Sequence, residues 1–265
     1  MGMATIFKHE IKAYIKTLLI WFVCVGGMGF ACILLFSNLK ESMGGMAESF
    51  ASMGAFADAF GMSQLSIATL EGFYSTEVGT IHALGGAMFA AIICTSILSK
   101  EEDGHTSEYL YSMPISRTEV VTAKLFAAMT HIAVLNVACV MLYCIGIIVL
   151  GEDISFKEFF IYHLMQFFMH IEIAGICFCI SSFMQKNKLG IGLGIVLMLY
   201  AFDLITRVIP DLKDYKVVGP FSYSNAADIF SGEKLDVVAI IIGSSIFIIT
   251  IISAYVKYNK KDLAS

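Results

Sequence analysis

Hydrophobic residues fall into six long runs along this chain, and most polar residues lie in the segments between the runs. Each run is close to the ~20 residues that a helix needs to cross a bilayer, and none alternates apolar and polar faces as a soluble helix does. The pattern predicts an all-α integral membrane protein with a single transmembrane domain over residues 1–265. The predicted transmembrane helices cover residues 18–36, 80–98, 125–150, 159–184, 189–205 and 237–256.

Composition supports a membrane protein, and the basic residues predict its orientation. Hydrophobic residues make up 58% of the chain and charged residues 15%. With the amino terminus taken as cytoplasmic, the inner segments hold eleven basic residues and the outer segments six. The positive-inside rule therefore places both termini of this multi-pass cell-membrane protein in the cytoplasm. The inner set is Lys8, Lys12, Lys16, Lys100, Arg117, Lys124, Lys186, Lys188, Lys257, Lys260 and Lys261, and the outer set is Lys40, Lys157, Arg207, Lys213, Lys216 and Lys234.

Residues 1–17 predict an amphipathic helix that lies in the cytoplasmic interface and leads into the first span. Three lysines recur every four residues, and three apolar residues follow the same spacing on a neighbouring stripe. The lysines are Lys8, Lys12 and Lys16, and the apolar residues are Phe7, Ile11 and Ile15.

The outer segments carry further predictions. Residues 69–77 read as a short helix that leads into the second span, and Asp203 and Arg207 are spaced for a helical ion pair. Three aromatic residues before the last span are expected at headgroup depth, namely Phe221, Tyr223 and Phe230.

Glu172 is the clearest polar residue within a predicted span, because it lies midway along the fourth one. A charge at mid-membrane costs roughly 2.5–3.5 kcal/mol on insertion scales, so it needs a partner or an aqueous lining. Glu172 is either a candidate for the translocation path or a carboxylate bonded to neighbouring helices, and we favour the second interpretation. His163, Gln166 and His170 share another face of this span, so no metal site is expected there. Asn136 of the third span is expected to satisfy its hydrogen bonds locally.

The segment 99–124, between the second and third spans, predicts two helices with a break between them. A short helix is expected over residues 106–112, and Pro114 then interrupts the backbone. Ser116, with Glu119 three residues later, predicts a capping box at the start of the next helix. Such a charged, compact element suits the docking of a cytoplasmic partner, and a solvated loop with ordinary caps fits the pattern equally well.

This segment resembles the cytoplasmic loop of type-2 ABC exporter permeases. Residues 57–74 resemble the first outer loop of that family, residues 220–232 the segment before its last span, and residues 255–263 its cytoplasmic end. His105 departs from the family pattern, since it displaces the usual Gly-Thr pair by one position. The residues of the loop that match are Glu101, Gly104, Thr106, Glu108, Leu110, Ser112, Pro114, Ser116 and Arg117.

The resemblance implies that the chain is a transporter membrane subunit and not an enzyme. It implies a second permease subunit, identical or paralogous, and two separate cytoplasmic ABC ATPase subunits that bind ATP and Mg²⁺. The matching loop, together with Glu102, would be the coupling helix that sits in a groove of the ATPase. The chain has no Gly-x-x-x-x-Gly-Lys-Ser/Thr sequence, so we expect no cofactor in it. Relatives move antimicrobial peptides, drugs, lipids or ions, and the substrate stays open among these.

Two other classes compete with an exporter permease. An intramembrane metal-dependent protease would need a His-Glu-x-x-His motif or paired acidic and His groups, and the sequence has no such motif. A stand-alone secondary carrier usually shows inverted repeats with broken spans, and we find no such repeat. All seven cysteines lie within the predicted spans and read as small buried hydrophobic residues. We therefore favour the permease, with the lipid bilayer as a further partner and no nucleic acid.

Overall fold

A computed structural model describes residues 2–112 and 114–261. Those residues form helices, turns and irregular segments with no β-strand, and six of their helices are long and apolar enough to cross a membrane. The predicted all-α class with six spans is confirmed. The six helices cover Met3–Ala51, Leu70–Ser96, Arg117–Leu150, Phe156–Phe183, Leu189–Val208 and Val237–Lys260.

Two of these spans contain a π-helical turn. Phe22–Gly27 joins the first two α-helices, and Tyr74–Val78 joins the fourth to the fifth. Two 3₁₀-helices, Pro210–Val218 and Ser222–Ser224, follow the fifth span. The α-helices in chain order are α1 Met3–Trp21, α2 Met28–Ala51, α3 Ala55–Ala59, α4 Leu70–Phe73, α5 Gly79–Ser96, α6 Lys100–Asp103, α7 Ser107–Tyr111, α8 Arg117–Leu150, α9 Phe156–Phe183, α10 Leu189–Val208, α11 Ala226–Phe230 and α12 Val237–Lys260.

The first span is longer than predicted. The chain runs as one helix from Met3 to Ala51, so residues 3–17 lead directly into the span, and the helix continues well beyond residue 36, where the predicted span ends. At a rise of about 1.5 Å per residue, this helix is roughly 70 Å long, more than twice the hydrocarbon thickness of a bilayer. The location of residues 3–17 at a membrane interface stays a prediction.

The inward face of α1 also differs from the predicted apolar stripe. Ile6 and Glu10 are buried, whereas Ile15 is 47% exposed. Tyr14 continues the buried stripe, and its hydroxyl lies 2.9 Å from Ser96 Oγ of α5. Since residues four apart share a helix face, Ile6, Glu10 and Tyr14 form one stripe towards the bundle. An acidic residue can occupy this stripe because two lysines neutralise it.

The centre of the bundle is formed by α5 and α9, the two most buried spans. α9 packs on α5 and α12, α10 packs on α5, and both α1 and α2 pack along α8. Gly86 of α5 lies against the His170 ring of α9, where a Cβ would overlap the imidazole, so this glycine permits the close approach of the two helices. The outward faces of α8, α10 and α12 expose apolar side chains, as a lipid-facing surface should.

The connections alternate between two ends of this bundle. At the terminal end lie the start of α1, the end of α12, the loop of residues 97–116 and the turn of residues 184–188. At the far end, Lys40 pairs with Glu152 at 2.7 Å, and the Ser155 N–H donates to Glu71 at 3.1 Å. Both described chain ends therefore lie on the same side of the bundle, as an even number of spans requires.

The far end confirms two predictions. Thr69 Oγ1 accepts a hydrogen bond from the Gly72 N–H at 3.1 Å, and the helix that it caps continues into α5. Asp203 and Arg207 form the expected ion pair, with Oδ2 and Nη2 2.5 Å apart.

The three aromatic residues before the last span pack inside the far end of the bundle. Phe221, Tyr223 and Phe230 are buried in the protein, and their location at headgroup depth stays a prediction. The Phe230 ring lies 5.9 Å from the ring of Tyr74, measured between centroids. These contacts hold the segment 219–230 in the far end of the bundle, because aromatic side chains gain more from packing than from exposure.

Candidate functional site

The loop of residues 97–116 contains two short helices with a break between them. α6 ends at Asp103 with Gly104 as its C-cap, and His105 adopts a left-handed backbone conformation with φ of 52°. Few non-glycine residues adopt this conformation, which turns the chain sharply between the two helices. α7 covers Ser107–Tyr111, close to the predicted helix over residues 106–112.

The start of α8 carries the predicted capping box. Ser116 Oγ accepts from the Glu119 N–H at 3.2 Å, and the Glu119 carboxylate accepts from the Ser116 N–H at 2.9 Å. The cap satisfies two backbone donors that the first turn of a helix leaves free, so it fixes where the loop ends and the span begins.

Four charged side chains form a buried charge cluster where the loop meets α1 and α8: Glu10, Lys100, Glu101 and Lys124. Lys124 has no exposed side-chain surface, and its Nζ lies 2.6 Å from both carboxylate oxygens of Glu101 and 3.6 Å from Glu10. Lys100 Nζ lies 2.5 Å from the other oxygen of Glu10. Two carboxylates and two ammonium groups balance, which is the condition under which charges tolerate burial.

A second set of contacts ties the loop to the end of α12. Lys261 pairs with Glu102 and donates to the Met184 carbonyl at 2.5 Å. The Arg117 guanidinium donates to the carbonyls of Tyr258 at 3.3 Å and of Lys261 at 2.5 Å. These bonds supply partners to carbonyls that the end of a helix leaves without one.

Tyr111 adds a contact between α7 and α12. Its hydroxyl donates to the Tyr258 hydroxyl at 2.9 Å. Burial raises the pKa of Tyr111, so the hydroxyl stays protonated and remains a donor.

The residues predicted to form the coupling helix therefore divide into two groups. Glu101, Glu102 and Arg117 face the protein and anchor the loop, and Leu110 is half-buried. Tyr109, which the prediction omitted, is 75% exposed. The remaining predicted residues are exposed, and with Tyr109 we call them the exposed ridge: Gly104, Thr106, Glu108, Ser112, Pro114 and Ser116.

A groove of about 570 Å³ lies between the start of α1 and this loop. Ile6, Leu110 and Ile115 give it apolar walls, and Tyr109 and the charge cluster also line it. A concave, mostly apolar surface with a few charged groups suits the binding of a protruding side chain.

Glu172 lies apart from this loop and is buried within the bundle. Its Oε2 accepts a hydrogen bond from the Tyr223 hydroxyl at 2.8 Å, and the carboxylate lies against Gly243 of α12, where a Cβ would overlap it. Burial raises the pKa of Tyr223, which keeps its hydroxyl a donor. These contacts support a structural role, and a role on the translocation path stays a prediction.

Asn136 links three spans in a buried polar cluster that the sequence did not predict. Its Oδ1 lies 3.2 Å from His82 Nε2 of α5 and 3.0 Å from His170 Nδ1 of α9. Its Nδ2 donates to the Ile132 carbonyl, one turn earlier on α8, at 2.8 Å, which is the local bond that was expected. The His163 ring adjoins this cluster at 4.8 Å from the His82 ring, between centroids, and its Nε2 lies 2.7 Å from the Tyr74 hydroxyl. Within residues 2–112 and 114–261, no group of three or more His, Cys, Asp or Glu residues has an arrangement that could hold a metal ion.

The sequence predictions include the loop residues but omit Glu10 of α1, which pairs with Lys100 and Lys124. Glu10 lies on the buried stripe of α1, four residues after Ile6 and four before Tyr14. An acidic residue on a stripe that packs inward requires a basic partner, so this spacing was a usable signal.

The fold and the site define a six-span membrane protein with an anchored loop at its terminal end. A family model described as "ABC-2 family transporter protein" matches residues 4–263. The chain belongs to this family, and it is a permease, the membrane subunit of an ABC transporter. Permeases of this family generally work with an ABC ATPase. No curated protein matches the chain.

Proposed function

We propose that this chain is the permease subunit of an ATP-driven exporter and that the 97–116 loop couples it to the ATPase. The complete exporter would contain two permeases, identical or paralogous, and two cytoplasmic ATPase subunits, which bind ATP and Mg²⁺. Both termini and the loop would face the cytoplasm of the cell. The cargo would be an antimicrobial peptide, a drug, a lipid or an ion.

The observation that carries this proposal is the contrast between the two sides of the loop. Its inner side is fixed by the charge cluster and by Arg117 and Glu102, and its outer side is the exposed ridge. A partner that moves this loop would also move α1, α8 and α12, because the anchors join the loop to all three helices. Rigid attachment of this kind is what a shift of packed helices requires.

The exposed ridge and the neighbouring groove would together receive the ATPase. Glu108 supplies an exposed charge, Tyr109 an exposed aromatic ring, and Leu110 part of the apolar wall. An interface commonly has an apolar centre that carries the affinity and a polar rim that sets orientation. We assign the groove to the centre and Glu108 to the rim.

The test is affinity purification of the chain from its native membrane in mild detergent. We expect a co-purifying subunit that contains the Gly-x-x-x-x-Gly-Lys-Ser/Thr sequence. Leu110→Asp should lower the yield of this subunit by at least about tenfold, because loss of a central contact costs about 2 kcal/mol or more. Glu108→Lys should lower the yield less, with an effect that weakens as salt is added.

Glu48→Lys is the matched control for the rim variant. Glu48 is exposed near the far end, so its reversal makes the same charge change away from the loop. Each variant should elute as the wild-type chain does, which separates loss of the partner from loss of the fold. Absence of an ATPase from the wild-type purification, or full retention of it by Leu110→Asp, would overturn the proposal.

A further inference from the structure

A second cavity at the terminal end is strongly basic. It has a volume of about 590 Å³ and lies between the 184–188 turn and the last turns of α12. No acidic residue of the described chain lines it. Its five lysines are Lys186, Lys188, Lys257, Lys260 and Lys261, and we call this cavity the basic pocket.

Four of these lysines have no carboxylate within ion-pair distance in residues 2–112 and 114–261; only Lys261 is paired, with Glu102. Lys257 is half-buried, and its Nζ lies 5.3 Å from the centre of the Phe183 ring. Four ammonium groups around one cavity repel each other, and an anion bound between them would relieve that repulsion.

The walls of the basic pocket indicate what kind of anion it takes. Phe183 and Ile191 line the pocket and are 57% and 41% exposed. Ile252 and Val256, which precede Lys257 on α12, are exposed as well. The lysines therefore adjoin the apolar surface of α10 and α12 that faces lipid. A soluble anion would use only the lysines, whereas a phospholipid would use both surfaces.

We propose that the basic pocket binds the phosphate headgroup of an anionic phospholipid, with the acyl chains along α10 and α12. Four unpaired ammonium groups can neutralise more than one phosphodiester. A lipid with two phosphates should therefore bind more tightly than a lipid with one. This binding does not depend on export or on an ATPase.

The pocket also adjoins the anchored loop. Lys261 lines the pocket, and the same ammonium group bonds Glu102 of α6 and the Met184 carbonyl. A headgroup bound beside Lys261 would compete with Glu102 for that ammonium group. Binding of a lipid would thus change the Lys261–Glu102 ion pair that anchors the loop.

The test is native mass spectrometry of the full chain, purified in a neutral detergent and titrated with defined lipids. We expect phosphatidylglycerol to bind at least about tenfold more tightly than phosphatidylcholine, and cardiolipin to bind more tightly than either. The variant K186Q/K257Q/K260Q should lose at least about tenfold in affinity for phosphatidylglycerol. Arginine at the same three positions should preserve it, because the charge is kept.

The matched control is K8Q/K12Q/K16Q, which removes three exposed lysines from the same end of the protein. This control should leave the affinity within about twofold of the wild type, since its lysines line no part of the pocket. Equal losses in the two triple variants would show general attraction to anionic surfaces and overturn the site. Two further tests use the wild-type chain alone. If it binds phosphatidylglycerol no more tightly than phosphatidylcholine, the proposal is overturned. If inorganic pyrophosphate displaces the lipid at the concentration at which the lipid itself binds, the pocket is a site for a soluble anion and the proposal is overturned too.

Discussion

One ammonium group joins three segments at the terminal end. Lys124 Nζ reaches Glu101, Glu10 and the Ile97 carbonyl, the last at 2.5 Å. A buried ion pair such as Lys124–Glu101 contributes little more stability than well-packed apolar residues would, because both charges lose their hydration. Its energetic effect becomes large only when one partner is removed and the other charge stays buried.

Lys124→Met should therefore destabilise the protein strongly. We expect the free energy of unfolding to fall by about 3 kcal/mol, at the lower end of the range for broken buried pairs, because Glu101 is partly exposed. Denaturant unfolding of the purified chain in detergent measures this change. The double variant K124M/E101Q should recover part of the loss, since it removes the unpaired charge.

The control for this substitution is Lys16→Met on the exposed face of α1. It makes the same chemical change and should alter stability by less than about 0.5 kcal/mol. Equal stability of the two methionine variants would mean that the charge cluster does not hold the loop.

At the scale of elements, hydrophobicity predicted which helices exist but not where they end. The third span was predicted from residue 125, yet α8 begins at Arg117 because a capping box and ion pairs support its polar first turns. α2 likewise continues to Ala51, beyond the apolar residues that predicted it. A hydrophobic run marks the part of a helix that lies in hydrocarbon, whereas caps and tertiary contacts decide its full length.

In the candidate site too, features that depend on neighbouring residues were predicted, and contacts between residues far apart in the sequence were not. Pro114, Ser116 and Glu119 lie within six residues of one another, so spacing alone predicted the break and the cap. Glu10 is 90 residues from Lys100, and Glu102 is 159 residues from Lys261. No periodicity within a single segment can pair residues so far apart, so the predictions named Glu101, Glu102 and Arg117 but missed the residues that they bind.

Arg117 provides a test of how α8 and α12 are joined. Arg117→Ala should speed hydrogen exchange at the backbone amides of residues 255–261 by at least about tenfold, because a charged hydrogen bond contributes about 1.5–3 kcal/mol. Arg117→Lys should protect these amides only in part, because lysine has a shorter reach than the Arg117 Nη1 that makes these bonds, and it loses the planar group that lies over the Tyr111 ring. Hydrogen exchange read by mass spectrometry resolves this segment.

Lys12→Ala serves as the control for the exchange measurement. Lys12 is exposed on α1 at the same end of the protein, and its loss should leave exchange at residues 255–261 unchanged. Unchanged exchange in Arg117→Ala would show that α12 ends in the same way without the guanidinium.

At the scale of the whole molecule, the orientation in the membrane decides whether the loop can meet an ATPase. The anchored loop, the basic pocket and both described chain ends share the terminal end. The segments at the terminal end contain eleven basic residues and those at the far end contain six, which favours a cytoplasmic location for the terminal end. The predicted orientation thus depends on the total number of basic residues at each end, and no single residue determines it.

Reporter fusions in a bacterial host test this orientation directly. Alkaline phosphatase fused after Ser265 or inserted in the 184–188 turn should be inactive, because both positions would lie in the cytoplasm, where its disulfides do not form. The same enzyme inserted in the far-end turn at residues 151–155 should be active. A fluorescent protein that matures only in the cytoplasm should give the opposite pattern at all three positions. Phosphatase activity at the carboxyl terminus would place the 97–116 loop outside the cell, where no ATP-hydrolysing partner could reach it, and the proposed coupling would then be wrong even though the six-span fold would stand.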